Sequence, residues 1–132
     1  MSIAPHAEER TATRERSGFL LRRVKIRNYK SIQNCDVELG PFTILVGRNG
    51  AGKSNFLNAI RFVSESLSDP TGGGLPATTL SPWGGIDADV RIEFGMTLPN
   101  DQEADYSLCL RPHTIGFDVR EESLRIRDGE GR

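Results

Sequence analysis

The stretch Gly47-Arg48-Asn49-Gly50-Ala51-Gly52-Lys53-Ser54 follows the pattern G-x-x-x-x-G-K-[ST], the spacing with which a loop wraps phosphate groups. Phosphates crowd negative charge. A loop around them must turn consecutive backbone N–H groups inward, through dihedrals and close approaches that residues without a side chain accept, which gives Gly47, Gly50 and Gly52 their place. A helix starting at the end of the loop adds its unpaired first N–H groups and the positive end of its dipole. Lys53 is then the point charge for the β and γ phosphates, and the Ser54 hydroxyl is a hard oxygen ligand for Mg²⁺. With Arg48, Asn49 and Ala51 inside the loop and Asn55 directly after it, residues 47–55 form the candidate nucleotide-binding site. Lys53 is its candidate catalytic group and Ser54 its candidate metal ligand. The bland alternative, a glycine-rich strand-to-helix turn that binds nothing, leaves Lys53 an unneutralised charge at a buried helix start.

Such a loop works between a buried strand and a helix, and periodicity predicts both. Phe42-Thr43-Ile44-Leu45-Val46 is an apolar run with no polar face, as in a strand covered on both sides. From Lys53 onward Phe56, Leu57, Ile60, Val63 and Leu67 recur at helical spacing, with Asn55, Asn58, Arg61 and Glu65 off that stripe, which predicts a helix of about four turns. Upstream, Leu20 to Tyr29 alternates as a half-buried strand, and Asn28-Tyr29-Lys30-Ser31 supplies turn chemistry. Cys35, Val37 and Leu39 then alternate with Asp36 and Glu38 up to Gly40-Pro41, an antiparallel partner strand. Residues 68–89 are crowded with Gly and Pro and read as one long loop. Beyond it Val90, Ile92, Phe94, Met96 and Leu98, then Tyr106, Leu108 and Leu110, then Ile115, Phe117 and Val119 predict an antiparallel meander. Leu124-Arg125-Ile126-Arg127 begins one more strand, and Asp128-Gly129-Glu130-Gly131 is a turn after it.

Composition bounds the rest. The 132 residues suffice for one domain with a core, and 36% hydrophobic against 27% charged residues is ordinary for a globular protein. No apolar run approaches the roughly 18 residues of a membrane helix, so a membrane is excluded as partner. The first residues carry Glu8, Glu9 and Glu15 and no apolar stretch, so 1–18 reads as a leader and 19–132 as one unit. Cys35 and Cys109 lie far apart and outside any Cys/His cluster, which predicts neither a disulfide framework nor zinc and fits a reducing cytoplasm. Net charge is −1, but residues 1–68 hold 11 Lys and Arg against 6 acids while residues 69–132 hold 6 against 12. Arg22, Arg23, Lys25, Arg27 and Lys30 fall in an acid-free stretch that suits phosphates or nucleic acid, the alternative being a solvated strand edge.

The base must be inferred from the surroundings of the loop. Asp69-Pro70-Thr71-Gly72 matches the Asp-x-x-Gly of GTPases by letters only, since it follows a polar helix end, and Asn-Lys-x-Asp is absent, so ATP is the expected nucleotide. Arg23-Val24-Lys25-Ile26-Arg27-Asn28-Tyr29-Lys30-Ser31-Ile32, followed by Leu39-Gly40-Pro41 and the run from Phe42 to Asn55, resembles the amino-terminal lobe of RecF/SMC-like ATPase heads. These belong to the ABC-type ATPases and include the overcoming-lysogenisation-defect nucleases and phage-defence ATPases. The resemblance covers residues 19–127. It implies an α/β P-loop NTPase fold, an ABC-ATPase-like lobe built of an antiparallel meander plus the P-loop strand and helix.

The resemblance also implies ATP and Mg²⁺ sandwiched in a head-to-head homodimer, with DNA a candidate partner in DNA repair, chromosome maintenance or phage defence. Hydrolysis in such heads needs a glutamine loop, a Ser-Gly-Gly signature and an apolar strand ending in Asp-Glu. The chain contains no such signature or strand: Leu67 to Gly74 is a faint likeness placed directly after the first helix, and Asp87 and Asp89 lack the apolar strand. With a single strand-helix unit a doubly wound parallel sheet cannot be completed, so the fold is expected to be incomplete and hydrolysis to require downstream segments. A non-hydrolysing nucleotide-binding regulatory module is the alternative. A small-molecule kinase would need an arginine-rich lid, and residues 68–89 hold no Lys or Arg.

Overall fold

Alternation of apolar and polar residues gives a strand one oily face, and stacking such strands edge to edge lets those faces merge. The computed structural model of the chain describes residues 18–48, 52–68, 88–113 and 116–128. They form β1 (Leu20–Tyr29), β2 (Ile32–Glu38), α1 (Lys53–Ser68), β3 (Val90–Thr97), β4 (Glu103–His113) and β5 (Gly116–Arg127). The five strands make one sheet in the order β2-β1-β3-β4-β5, every neighbouring pair antiparallel. Two tight turns use positive φ values, 49° at Lys30 between β1 and β2 and 71° at Asn100 between β3 and β4.

Register brings the apolar residues together. Val24 lies opposite Val37 and Phe94, Ile26 opposite Cys35 and Ile92, and Ile92 in turn opposite Leu108. The Phe94 and Tyr106 rings meet across β3 and β4 at 6.3 Å. Helix α1 covers this face with Phe56, Ala59, Phe62 and Val63, all buried, and Phe62 meets Phe117 of β5 edge-on at 5.7 Å. Of the two free thiols, Cys35 is half-buried on β2 and Cys109 is buried on β4.

Several expectations need correction. The run Phe42 to Val46 is no strand: it lies outside the sheet, with Phe42 76% and Val46 88% exposed and Leu45 only half-buried. Strand propensity needs a ladder partner, and among the described residues no strand runs parallel to it. The buried side of α1 also differs from the predicted stripe. Ala59 and Phe62 are buried, whereas Leu57 and Leu67 are 56% and 61% exposed, because the sheet touches one flank of the stripe only. The two last predicted strands are one. A bulge opposite Cys109 and Leu110 inserts Arg120 and shifts the alternation from Phe117 and Val119 to Leu124 and Ile126, a change of phase that imitates a strand break. Residues 1–17 of the predicted leader, all but the ends of the 68–89 loop, Asp87, Ile115 and Gly129 to Gly131 lie outside the described residues.

The helix face can be checked by stability. Ile92→Ala, at a fully buried position in mid-sheet, is expected to lower the unfolding free energy by about 2–5 kcal/mol. Leu57→Ala, on the exposed flank, is expected to cost less than about 1 kcal/mol. Denaturant titration reads both, and equal losses would place Leu57 in the core.

Candidate phosphate-binding site

Helix α1 opens where the motif requires. Gly52 has φ +95°, in the left-handed region that a side chain makes costly, and its carbonyl accepts the N–H of Phe56 at 2.8 Å as the first bond of the helix. Lys53 and Ser54 are thus the first two helical residues, beside the N–H groups that the helix leaves unpaired. The Lys53 ammonium donates to the Gly47 carbonyl and so closes the loop across its two ends. Gly47, Arg48 and Ser54 are exposed and Lys53 is half-buried. Asn49, Gly50 and Ala51 lie outside the described residues.

The loop rests on the β1–β2 turn. The Asn55 side-chain amide donates to the Ser31 hydroxyl at 2.6 Å, and a Cβ on Gly52 would stand 3.6 Å from the Ile32 side chain and 3.7 Å from Ser31 Oγ. The turn is itself held to the start of β3, since Asn28, at φ 57°, donates from Nδ2 to the Asp89 carbonyl at 3.1 Å. Beside the loop a groove opens between Ser31, Ile32, Leu45, Gly52, Lys53 and Phe56. Sequence reasoning singled out Asn28 to Ser31 and Asn55 separately and missed that they meet. No local pattern joins them, since Ser31 and Asn55 lie 24 residues apart and meet only where α1 packs on the turn.

Other singled-out residues are held elsewhere. Asp89 accepts from Arg111 Nε at 2.7 Å, and this guanidinium holds its carboxyl below the usual carboxylate range. Of the five basic residues near β1, Arg22 pairs with Glu103 at 3.1 Å and Arg23 takes Asp36 bidentately at 2.8 and 2.6 Å. The Lys30 ammonium lies 5.5 Å from the centroid of the Tyr29 ring. The acid-free stretch of sequence is thus partly neutralised across strands.

The donor set suits a nucleotide carrying Mg²⁺. Ser54 offers a hard, exposed oxygen at the helix start, and the described residues contain no group of three His, Cys, Asp or Glu side chains that would make a protein cage. Mg²⁺ accepts such a site because it keeps several waters and takes phosphate oxygens as ligands.

A left-handed glycine feeding a helix that begins Lys-Ser, with the lysine bonded back to Gly47, fits a P-loop NTPase. The chain belongs to the AAA ATPase domain family, whose profile matches residues 20–108. It is similar to the OLD nuclease of Thermus scotoductus, 43% identical over 44 residues, covering 33% of this chain and 8% of that protein. It is 37% identical over 55 residues to the DNA replication and repair protein RecF of Phocaeicola vulgatus, covering 39% of this chain and 15% of that one. The Old nuclease of Escherichia phage P2 is 46% identical over 55 residues, covering 36% of this chain and 9% of the phage protein. The chain thus spans 8 to 15% of the length of these relatives. Among the described residues no helix is long and apolar enough to cross a membrane.

Two measurements follow. Ser31→Ala and Asn55→Ala are expected to be non-additive, with a coupling of about 0.5–1.5 kcal/mol in a double-mutant cycle of denaturant stability; additive losses would dissolve the tie. Asp36, like Asp89, has its carboxyl pulled down, here by the hydrogen bond from Arg23. A depressed folded value stabilises the fold above the unfolded value of about 3.9 and loses that contribution as pH falls through the folded one. The gap in melting temperature between the native chain and Arg23→Gln is therefore expected to close as pH drops below about 4.

Proposed function

We propose that this chain is the nucleotide-binding part of a RecF/SMC-like ATPase head and that residues 47–55 bind the phosphates of Mg-ATP. The single observation that carries the reading is the start of α1, where the left-handed Gly52 turns the chain so that Lys53 and Ser54 open the helix beside its unpaired N–H groups. Lys53 neutralises the β and γ phosphates, with Gly47 and Gly50 lending backbone N–H groups. Ser54 is the protein's ligand to the metal, which on binding offsets phosphate charge. Arg48, Asn49, Ala51 and Asn55 complete the pocket.

Hydrolysis needs a positioned water and charge stabilisation at the γ-phosphate. Asp89 is engaged by Arg111, and binding phosphates alone stabilises the ground state. Turnover is therefore assigned to the head completed by a signature and an Asp-Glu strand, in a head-to-head homodimer of a cytoplasmic protein. The fold reading that goes with this is one ABC-type lobe over residues 19–132, which accounts for the unpaired run Phe42 to Val46. Similarity to RecF and to OLD nucleases supports a place in DNA repair, chromosome maintenance or phage defence, with DNA as a partner. The second reading, a regulatory module that binds without hydrolysing, draws on the same ion-paired Asp89.

Calorimetry with Mg-ATP and a phosphate-release assay test this together. Lys53→Ala is expected to weaken binding at least about tenfold with melting unchanged, since alanine is a good helix former. The 132-residue chain is expected to release no phosphate above the Lys53→Ala background. Unchanged affinity would remove Lys53 from the site, and Lys53-dependent turnover would place a water-activating carboxylate, Asp87 or Asp89, within these residues.

A further inference from the structure

Strand β1 changes phase before it ends. Val24 and Ile26 are fully buried, and plain alternation would send Asn28 into the core after them. Asn28 is instead left-handed, at φ 57°, and stays half-buried, while the next residue, Tyr29, is the one fully buried. Lys30 follows at φ 49°, so two of the three residues before Ser31 are left-handed. Residues other than glycine held at positive φ cost stability, persist only where their surroundings fix them, and gather at functional sites. Asparagine takes this conformation more readily than most side chains, and here it adds a bond. Its Nδ2 donates to the Asp89 carbonyl at 3.1 Å, 61 residues along the chain.

That bond is one link in a line of contacts running from the sheet to the phosphate loop. Asp89 is fixed from β4, because its carboxylate accepts Arg111 Nε at 2.7 Å. Its carbonyl holds Asn28, at the entrance to the β1–β2 turn. On the far side of the turn the Ser31 hydroxyl accepts the Asn55 amide at 2.6 Å, and Asn55 is the third residue of α1. The line therefore ends at the helix start, where the unpaired N–H groups lie. An anion site made of such groups binds well when they are already aimed, since a loop that must be ordered on binding loses affinity by that amount.

We infer that Asn28 is a positioning residue for phosphate binding: its amide, clamped to the Asp89 carbonyl, holds the β1–β2 turn as the rest against which the start of α1 and the glycine loop are aimed. The inference rests on the reading of residues 47–55 as the nucleotide site, and adds to it a residue that acts through Ser31 and Asn55 instead of touching phosphate. Without the clamp the turn shifts against β3 and Ser31 carries Asn55 with it. Lys53 and the helix N–H groups then lose their common direction.

Calorimetry with Mg-ATP on the 132-residue chain compares Asn28→Gly, Asn28→Asp and, as a control, Met96→Ala. Glycine and aspartate both accept positive φ, and neither an absent side chain nor an ionised carboxylate can donate to the Asp89 carbonyl. Their side effects differ, added backbone freedom in one and added charge in the other, so a shared loss reports the missing donor. Each is expected to weaken Mg-ATP binding about three- to tenfold. Met96, buried at the opposite end of β3 from Asp89, costs stability when cut back to alanine, yet Met96→Ala is expected to leave the affinity of the folded chain unchanged. Amide exchange without nucleotide gives a second reading. In Asn28→Gly the Phe56 N–H, bonded to the Gly52 carbonyl, is expected to speed up at least about threefold more than the Ile92 N–H in mid-sheet, because the loosening is local. Asn28 variants that bind like the native chain would overturn the proposal and leave the nucleotide site standing. Equal acceleration at Phe56 and Ile92, or an equal loss of affinity in Met96→Ala, would do the same by reducing the clamp to a stability element. A native chain that binds no Mg-ATP would remove the nucleotide reading itself, and the proposal with it.

Discussion

Five antiparallel strands share one apolar face, and a single helix is available among the described residues to cover it. Where that helix lies decides much of what else the molecule can do. Its buried residues run from Phe56 near β1 to Phe62 against Phe117 at the start of β5. Seating Phe56 brings the helix start beside the β1–β2 turn, which is why the glycine loop rests on Ser31 and Ile32. The same seating leaves the far end of β5 uncovered, so Leu124 and Ile126 remain at the surface. The seat of the glycine loop and the apolar edge are thus two results of covering a wide sheet with one helix.

Much of this was legible from residue order because it depends on local alternation. β1 runs from Leu20 to Tyr29 as its pattern predicts, and β3 follows Val90, Ile92, Phe94 and Met96. The readings that failed are those in which a partner outranks the pattern. Phe42 to Val46 has the composition of a buried strand and lacks a parallel neighbour to bond. Leu57 belongs to the apolar stripe of α1, but burial depends on which flank the sheet meets. In β5 the phase change at Arg120 looked like a break because a bulge and a strand end leave the same trace in a sequence. Within the site, the order Gly-Lys-Ser locates the helix start to the residue. The bond from Asn55 to Ser31 joins residues 24 apart in the chain, and only the packing of the helix on the turn reveals it.

Charge shows the same contrast between line and surface. The chain is positive in its first half and negative in its second, yet the sheet interleaves the two signs. Arg22 reaches Glu103, and Arg23 feels Glu93 of the neighbouring strand as well as Asp36. Within the second half Arg91 reaches Glu121 across β4. These pairs are exposed and individually weak. Their effect is to turn blocks of like charge in the sequence into a mixed surface, so that a basic stretch does not translate directly into a basic patch.

The two thiols carry a practical consequence. Burial pushes both Cys35 and Cys109 up, with the Asp36 charge adding to the effect at Cys35, and alkylating reagents attack the thiolate. Cys35 sits on an edge strand, while Cys109 is flanked by β3 and β5. The molecule therefore carries two built-in clocks without any engineered label: the alkylation rate at Cys35 times the fraying of the β2 edge, and that at Cys109 times the parting of the middle of the sheet.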